Sequence, residues 1–171
     1  MFEPKDKTFD KDSLQTPRFI FDWQNSIYNF DVDICASDDH HYCDNYYTIK
    51  DSALLHHLSD DYECGWNNPP YSKIDPWINK AIYCADNGMT TVMLIPDFNG
   101  EARFDLIAKH AINITHIIGR VSFVRPDNGK PYSGNNRGSC LIEFGPKYMN
   151  NPPVHHYVNL KDIEKKFGGK V

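Results

Sequence analysis

With 171 residues, 40% of them hydrophobic and 24% charged, the chain has the size for one α/β domain with a proper core and is short for a catalytic domain plus a separate recognition domain. No apolar run reaches membrane-spanning length, Met1 to Asp12 lacks the pattern of a secretory signal, and five scattered cysteines without a Cys-x-x-Cys pair point to reduced thiols in the cytoplasm. A net charge of −5 excludes a broadly basic surface, so any face that meets nucleic acid is local.

Residues 1–13 are charged and aperiodic and read as a flexible arm. A helix follows, with Thr16 as its cap, Pro17 at its first position and Phe19, Trp23 and Ile27 as its apolar face. Phe30 to Ser37 alternates apolar and acidic residues and ends in small ones, as a strand running into a loop does. Ligands of open α/β sheets bind outside such strand ends, which makes Asp31, Asp33 and Ala36 candidates for contact. The following stretch is rich in Asp, His and Tyr; His40, His41 and Cys43 lack the paired spacing of a structural zinc site, and no metal is expected. Asn45, Tyr46, Tyr47 and Thr48 suit a ligand pocket, the tyrosines equally the core, and Asp51 is a further acidic candidate for a ligand contact. Asp51 to Leu58 suggests a short helix.

The most informative stretch is Asn68-Pro69-Pro70-Tyr71. Two prolines fix two φ angles, remove two N–H donors and press the preceding Asn into an extended conformation. The turn is rigid, with carbonyl oxygens and the Asn68 amide oxygen left to accept hydrogen bonds and the Tyr71 ring offering a flat face. That set suits a planar ring with an exocyclic amino group, as enzymes acting on extruded bases require. Asp75 then caps a helix with Pro76 at its first position, with an apolar face of Trp77, Ile78, Ala81, Ile82 and Ala85 and Gly88 past its end. Thr90 to Ile95 is a buried central strand ended by Pro96. Strand, helix, strand is a βαβ unit that brings Asn68 and Asp97 to one sheet edge.

Phe104, Ile107, Ala108 and Ala111 form one more helical face, and 112–118, 121–124 and 139–144 read as strands. The long connection from Arg125 to Gly138 carries Arg125, Lys130 and Arg137 against a single carboxylate, Asp127, together with Tyr132, Ser133, Asn135 and Asn136. It is either a local surface for DNA phosphates and base edges or a solvated hairpin loop. Lys161 to Val171 mixes charges and is expected to be exposed.

Taken in order, Thr16-Pro17, Asp33-x-x-Ala36, Asn68-Pro69-Pro70-Tyr71, Leu94-Ile95-Pro96 and Gly119-Arg120 resemble the small phage-type Dam-like N6-adenine DNA methyltransferases, over roughly 14–146. The resemblance implies a Rossmann-like three-layer α/β sandwich: a mostly parallel seven-strand sheet with an antiparallel last strand pair, in a single domain with a C-terminal extension over 147–171. It implies S-adenosylmethionine held at Thr16, Pro17, Asp33, Ala36 and Asn68, and a flipped adenine of double-stranded DNA at Asn68, Pro69, Pro70 and Tyr71. DNA contacts then fall to Arg120, Arg125, Lys130 and Arg137. Dam-like relatives suggest GATC, and the small size fits a short target or help from a second subunit. The same tetrapeptide serves enzymes acting on cytosine N4, RNA bases or a glutamine amide; a non-catalytic nucleic-acid-binding module on a decayed methyltransferase fold is the alternative of another class.

Overall fold

The computed structural model describes residues 10–132, 134–147 and 151–169. Residues 1–9 of the expected arm, Ser133 of the basic connection, and Lys170 and Val171 of the tail lie outside them. Seven strands form one sheet in the order β2-β1-β3-β4-β6-β5-β7. They are β1 (Val32–Asp33), β2 (Asn45–Tyr46), β3 (Cys64–Asn67), β4 (Thr90–Pro96), β5 (Asn113–Ile118), β6 (Ser139–Phe144) and β7 (Val154–Asn159). Five other strands run the same way as β4; β6 is inverted, pairing antiparallel with β4 on one side and β5 on the other. The β5–β6 pair is thus antiparallel in this mostly parallel Rossmann-like sheet, as is β4–β6, and β7 lies parallel on the outer edge of β5.

The helices cover both faces, as a buried parallel sheet requires. On β4, Met93 and Ile95 pack into one core with Trp77, Ile78 and Ala81 of α2 (Asp75–Asp86) and Ile107 of α3 (Ala102–His110). The alternate residues Val92 and Leu94 pack into the other with Ile20 and Phe21 of α1 (Arg18–Tyr28) and Trp66. Period-two alternation buried on both sides gives three layers. The βαβ unit forms as the sequence indicates, with β3 and β4 parallel neighbours and Gly88 at φ 94° just past α2. No helix among the described residues is long and apolar enough to cross a membrane.

Several local expectations change. Pro17, and not Thr16, occupies the cap position of α1; its carbonyl takes the first helical N–H, from Ile20, and the Thr16 hydroxyl caps nothing. The buried face of α1 is Ile20, Phe21 and Gln24, with Ile27 59% exposed, because the helix meets the sheet about one position off the Phe19-Trp23-Ile27 stripe. Asp75 is the first helical residue instead of the cap, and its carboxylate meets Arg103 at 3.0 Å. The expected helix over 51–58 is two 3-10 turns, Ala53–Leu55 and Leu58–Asp60.

The run 121–124 is no strand. Val124 bridges Gln15 and Pro131, closing a tight hairpin in which Arg125 donates its N–H to the Lys130 carbonyl and Gly129 takes φ 68°. The tail is not simply exposed, since Leu160–Phe167 forms α4, capped by the Asn159 side chain and with Ile163 buried against the fold. Nor do residues 10–13 hang free: Lys11–Ser13 is a 3-10 turn in which Asp12 accepts hydrogen bonds from the Ser72 N–H and hydroxyl.

Candidate active site

Because β1, β3, β4 and β5 point the same way, the segments following them emerge on one edge of the sheet. Those segments are the Asp33 loop, the Asn68 to Tyr71 turn, Asp97, and Gly119-Arg120. The edge outside strand carboxyl ends is where such folds take their ligands.

Along the turn, Pro69 is buried and Asn68 half-buried. The Asn68 amide nitrogen donates to the Leu14 carbonyl at 3.3 Å. The Tyr71 hydroxyl donates to the Leu94 carbonyl at 3.1 Å, and its ring meets Phe123 edge-on, centroids 6.0 Å apart. Burial holds this phenol well above its ordinary range. Asn68, Pro69, Tyr71 and Phe123 enclose a pocket of about 30 Å³ whose remaining wall is the 11–14 segment. That is room for a water or two and not for a purine.

Asp33 is 3% exposed. Its carboxylate accepts the Tyr42 N–H at 3.0 Å and the Cys35 N–H at 3.4 Å. Burial lifts its pKa to about 6, against the pull of those two N–H groups. Burial, with Asp33 and Asp12 adding to it, pushes the Cys35 thiol up to about 12, so it stays neutral. Asp31, the other candidate carboxylate, accepts the Glu63 and Cys64 N–H groups at 2.9 and 3.1 Å, tying β1 to β3. Ala36 donates its N–H to the Tyr47 carbonyl and remains half-exposed.

Thr16 and Pro17 are both buried, and the Thr16 hydroxyl has no hydrogen-bond partner among the described residues. The Asn67 side-chain oxygen is buried and partnerless in the same way. Buried polar atoms are ordinarily bonded, so orphans at the ligand edge fit a ligand that would satisfy them. Asp51 is engaged by His56 at 2.6 Å, while Tyr46 stacks on His41 and Tyr47 packs edge-on against Tyr62.

The four basic residues divide into two pairs. Arg120 and Arg137 line one open cleft of about 430 Å³ with Asp97, Asn99 and Glu101. Arg137 is paired with Glu101, whereas Arg120 is exposed and has no ion pair among the described residues. Arg125 and Lys130 sit on the separate 125–130 turn, where Arg125 bonds the Asp127 carboxylate at 2.7 and 3.0 Å. Sequence reasoning missed Asp12, which holds the 11–14 segment on the turn, and Tyr42, which touches both Asp33 and Thr16. Each is one polar residue in an aperiodic stretch, without a motif to mark it.

The family model described as DNA N-6-adenine-methyltransferase (Dam) matches residues 4–170. The DNA N-6-adenine-methyltransferase of Haemophilus phage HP1 (strain HP1c1) is 29% identical over 170 residues, 97% of either chain. That of Escherichia phage T1 is 26% identical over 169 residues, 90% of this chain and 71% of its own. Among solved structures, a candidate class I S-adenosylmethionine-dependent methyltransferase of Listeria monocytogenes superposes with a TM-score of 0.43 at 16% identity, over 70% of this chain and 43% of that one. The match over nearly the whole length makes this chain a member of the Dam family of DNA N6-adenine methyltransferases.

Proposed function

We propose that the protein transfers a methyl group from S-adenosylmethionine to N6 of an adenine flipped out of double-stranded DNA, within a short site such as GATC. The observation that carries this reading is the placement of the Asn68 to Tyr71 turn beside Asp33 and the partnerless Thr16 hydroxyl on one sheet edge. A cofactor with an ammonium and a carboxylate fits those groups, with Asp33 taking the ammonium and Thr16 the amino-acid end. S-adenosylmethionine supplies an activated methyl on a sulfonium.

The residues of the chain act chiefly by position. Adenine's amino nitrogen is a poor nucleophile because its lone pair is delocalised into the ring. Hydrogen bonds accepted by the Asn68 side-chain oxygen and the Pro69 carbonyl pull the amino group toward tetrahedral geometry and localise that pair. Tyr71 and Phe123 supply the aromatic walls of the base site. The exposed turn Lys11–Ser13, which contains no buried residue, is the wall that yields to admit a base, while Gln15 stays paired with Val124. Arg120, open in its cleft, takes a DNA phosphate; Arg137, Arg125 and Lys130 add weaker contacts because two of them already hold carboxylates.

Transfer of labelled methyl from S-adenosylmethionine to unmethylated DNA, followed by nucleoside analysis, tests the reading. Label is expected in N6-methyladenine and is expected to fall by orders of magnitude in Asn68→Ala, with cofactor binding retained. Label in N4-methylcytosine, RNA or protein would reassign the acceptor, and equal activity in Asn68→Ala would sink the assignment of the turn.

A further inference from the structure

Tyr42 belongs to no motif, yet it joins two of them. Its backbone N–H donates to the Asp33 carboxylate at 3.0 Å, and its phenol donates to the Thr16 carbonyl. Asp33 ends β1 and Thr16 precedes α1, so the two share no secondary-structure element. One residue, bonded at one end to each, sets the separation between them.

The ring is held so that the hydroxyl has one direction. It stacks on the buried Phe21 with centroids 4.4 Å apart and planes 13° from parallel. The Arg18 guanidinium lies 5.5 Å from its centroid, and His40 meets it edge-on at 4.8 Å. Burial, with the Asp33 charge beside it, holds the phenol well above its ordinary range, which keeps it a donor. A donor fixed in this way constrains the Thr16 backbone, and with it the hydroxyl that lacks a partner. On the other side, an Asp33 carboxylate that receives two backbone N–H bonds has little freedom to turn.

We propose that Tyr42 is a positioning residue for the cofactor, holding Thr16 and Asp33 at the spacing that the amino-acid end of S-adenosylmethionine requires. The inference rests on the cofactor site given under Proposed function. It predicts a defect confined to that end of the cofactor: Tyr42→Phe keeps the stacked ring and the backbone bond to Asp33 and removes only the bond to Thr16.

Calorimetry on the full chain separates the outcomes, with S-adenosylmethionine and methylthioadenosine as probes, the second lacking the ammonium and carboxylate. Tyr42→Phe is expected to bind S-adenosylmethionine about 3- to 10-fold more weakly, the loss of one hydrogen bond. Methylthioadenosine should bind wild type and variant equally. In turnover, KM for the cofactor should rise by the same factor, with kcat at saturation within about twofold. Unchanged S-adenosylmethionine affinity, or an equal loss for both probes, would overturn the positioning role while leaving the cofactor site standing. Failure of the wild-type protein to bind S-adenosylmethionine would remove the site itself and the inference with it.

Discussion

In the proposed cofactor site, the Asp33 carboxylate should make binding depend on pH in a range where an ordinary aspartate would not. Its pKa stands near 6 instead of 3.8, because burial penalises the charge more than the Tyr42 and Cys35 N–H groups favour it, with His41 lending a smaller favourable field. An ammonium prefers the ionised form. With a pKa of about 6, one site in roughly eleven is ionised at pH 5 and nearly all at pH 8, so affinity for S-adenosylmethionine should fall about tenfold from pH 8 to pH 5. Asp33→Asn should bind weakly at both pH values and lose the dependence.

The sign for stability is opposite. A carboxylate whose folded pKa is raised contributes stability below the unfolded value, near 4, and loses it as pH rises through 6. The rise from 3.8 to about 6 amounts to about 3 kcal/mol at most. The free protein should therefore become less stable between pH 4 and 6 from this group, and saturating cofactor should offset the loss. Calorimetric titrations from pH 5 to 8 and thermal melts from pH 4 to 7, with and without S-adenosylmethionine, check both halves. Affinity that stays flat across that range would refute the reasoning.

Two further predictions follow from partners the structure assigns. The Tyr71 hydroxyl is spent on the Leu94 carbonyl, so Tyr71→Phe should cost about 1 kcal/mol of stability in denaturant titration and little in methyl transfer, whereas Tyr71→Ala should abolish transfer. Arg120→Ala should weaken DNA binding and lower the slope of log affinity against log salt by about one. Fluorescence titrations with labelled DNA over a range of salt check this, and Arg125→Ala should do less in them, since its guanidinium is already committed to Asp127.

Where burial and period agree, the sequence is a good guide to the fold. Thr90 to Ile95 and Ser139 to Phe144 are continuous apolar strands, and both lie in the sheet where their composition places them. The rigid Asn68 to Tyr71 turn was legible because prolines fix dihedrals without help from neighbours. What escaped depends on tertiary partners. Asp31 and Asp33 are alike in the sequence, and only the approach of β3 and of the Tyr42 loop decides that the first ties strands together while the second bonds the backbone of Tyr42. The α1 face is offset because the sheet chooses which side it covers. Val121 to Val124 has strand composition but finds Gln15 and Pro131 as partners in place of the sheet. Nothing local in Asp12 announces a bond to a serine 60 residues later.

The contact between Asn68 and Leu14 bears on the choice of residue at the head of the turn. An amide side chain has two ends of almost equal size and opposite polarity, and a backbone carbonyl can be met only by the end bearing hydrogens. Leu14 therefore settles the rotation of the Asn68 amide, leaving its oxygen as the end free for the base proposed to bind there. An aspartate of the same shape would set oxygen against oxygen and push the N-terminal segment away from the turn. The asparagine and the segment at Leu14 and Gln15, held by the Gln15–Val124 bridge, are thus a matched pair, each giving the other a reason to be there.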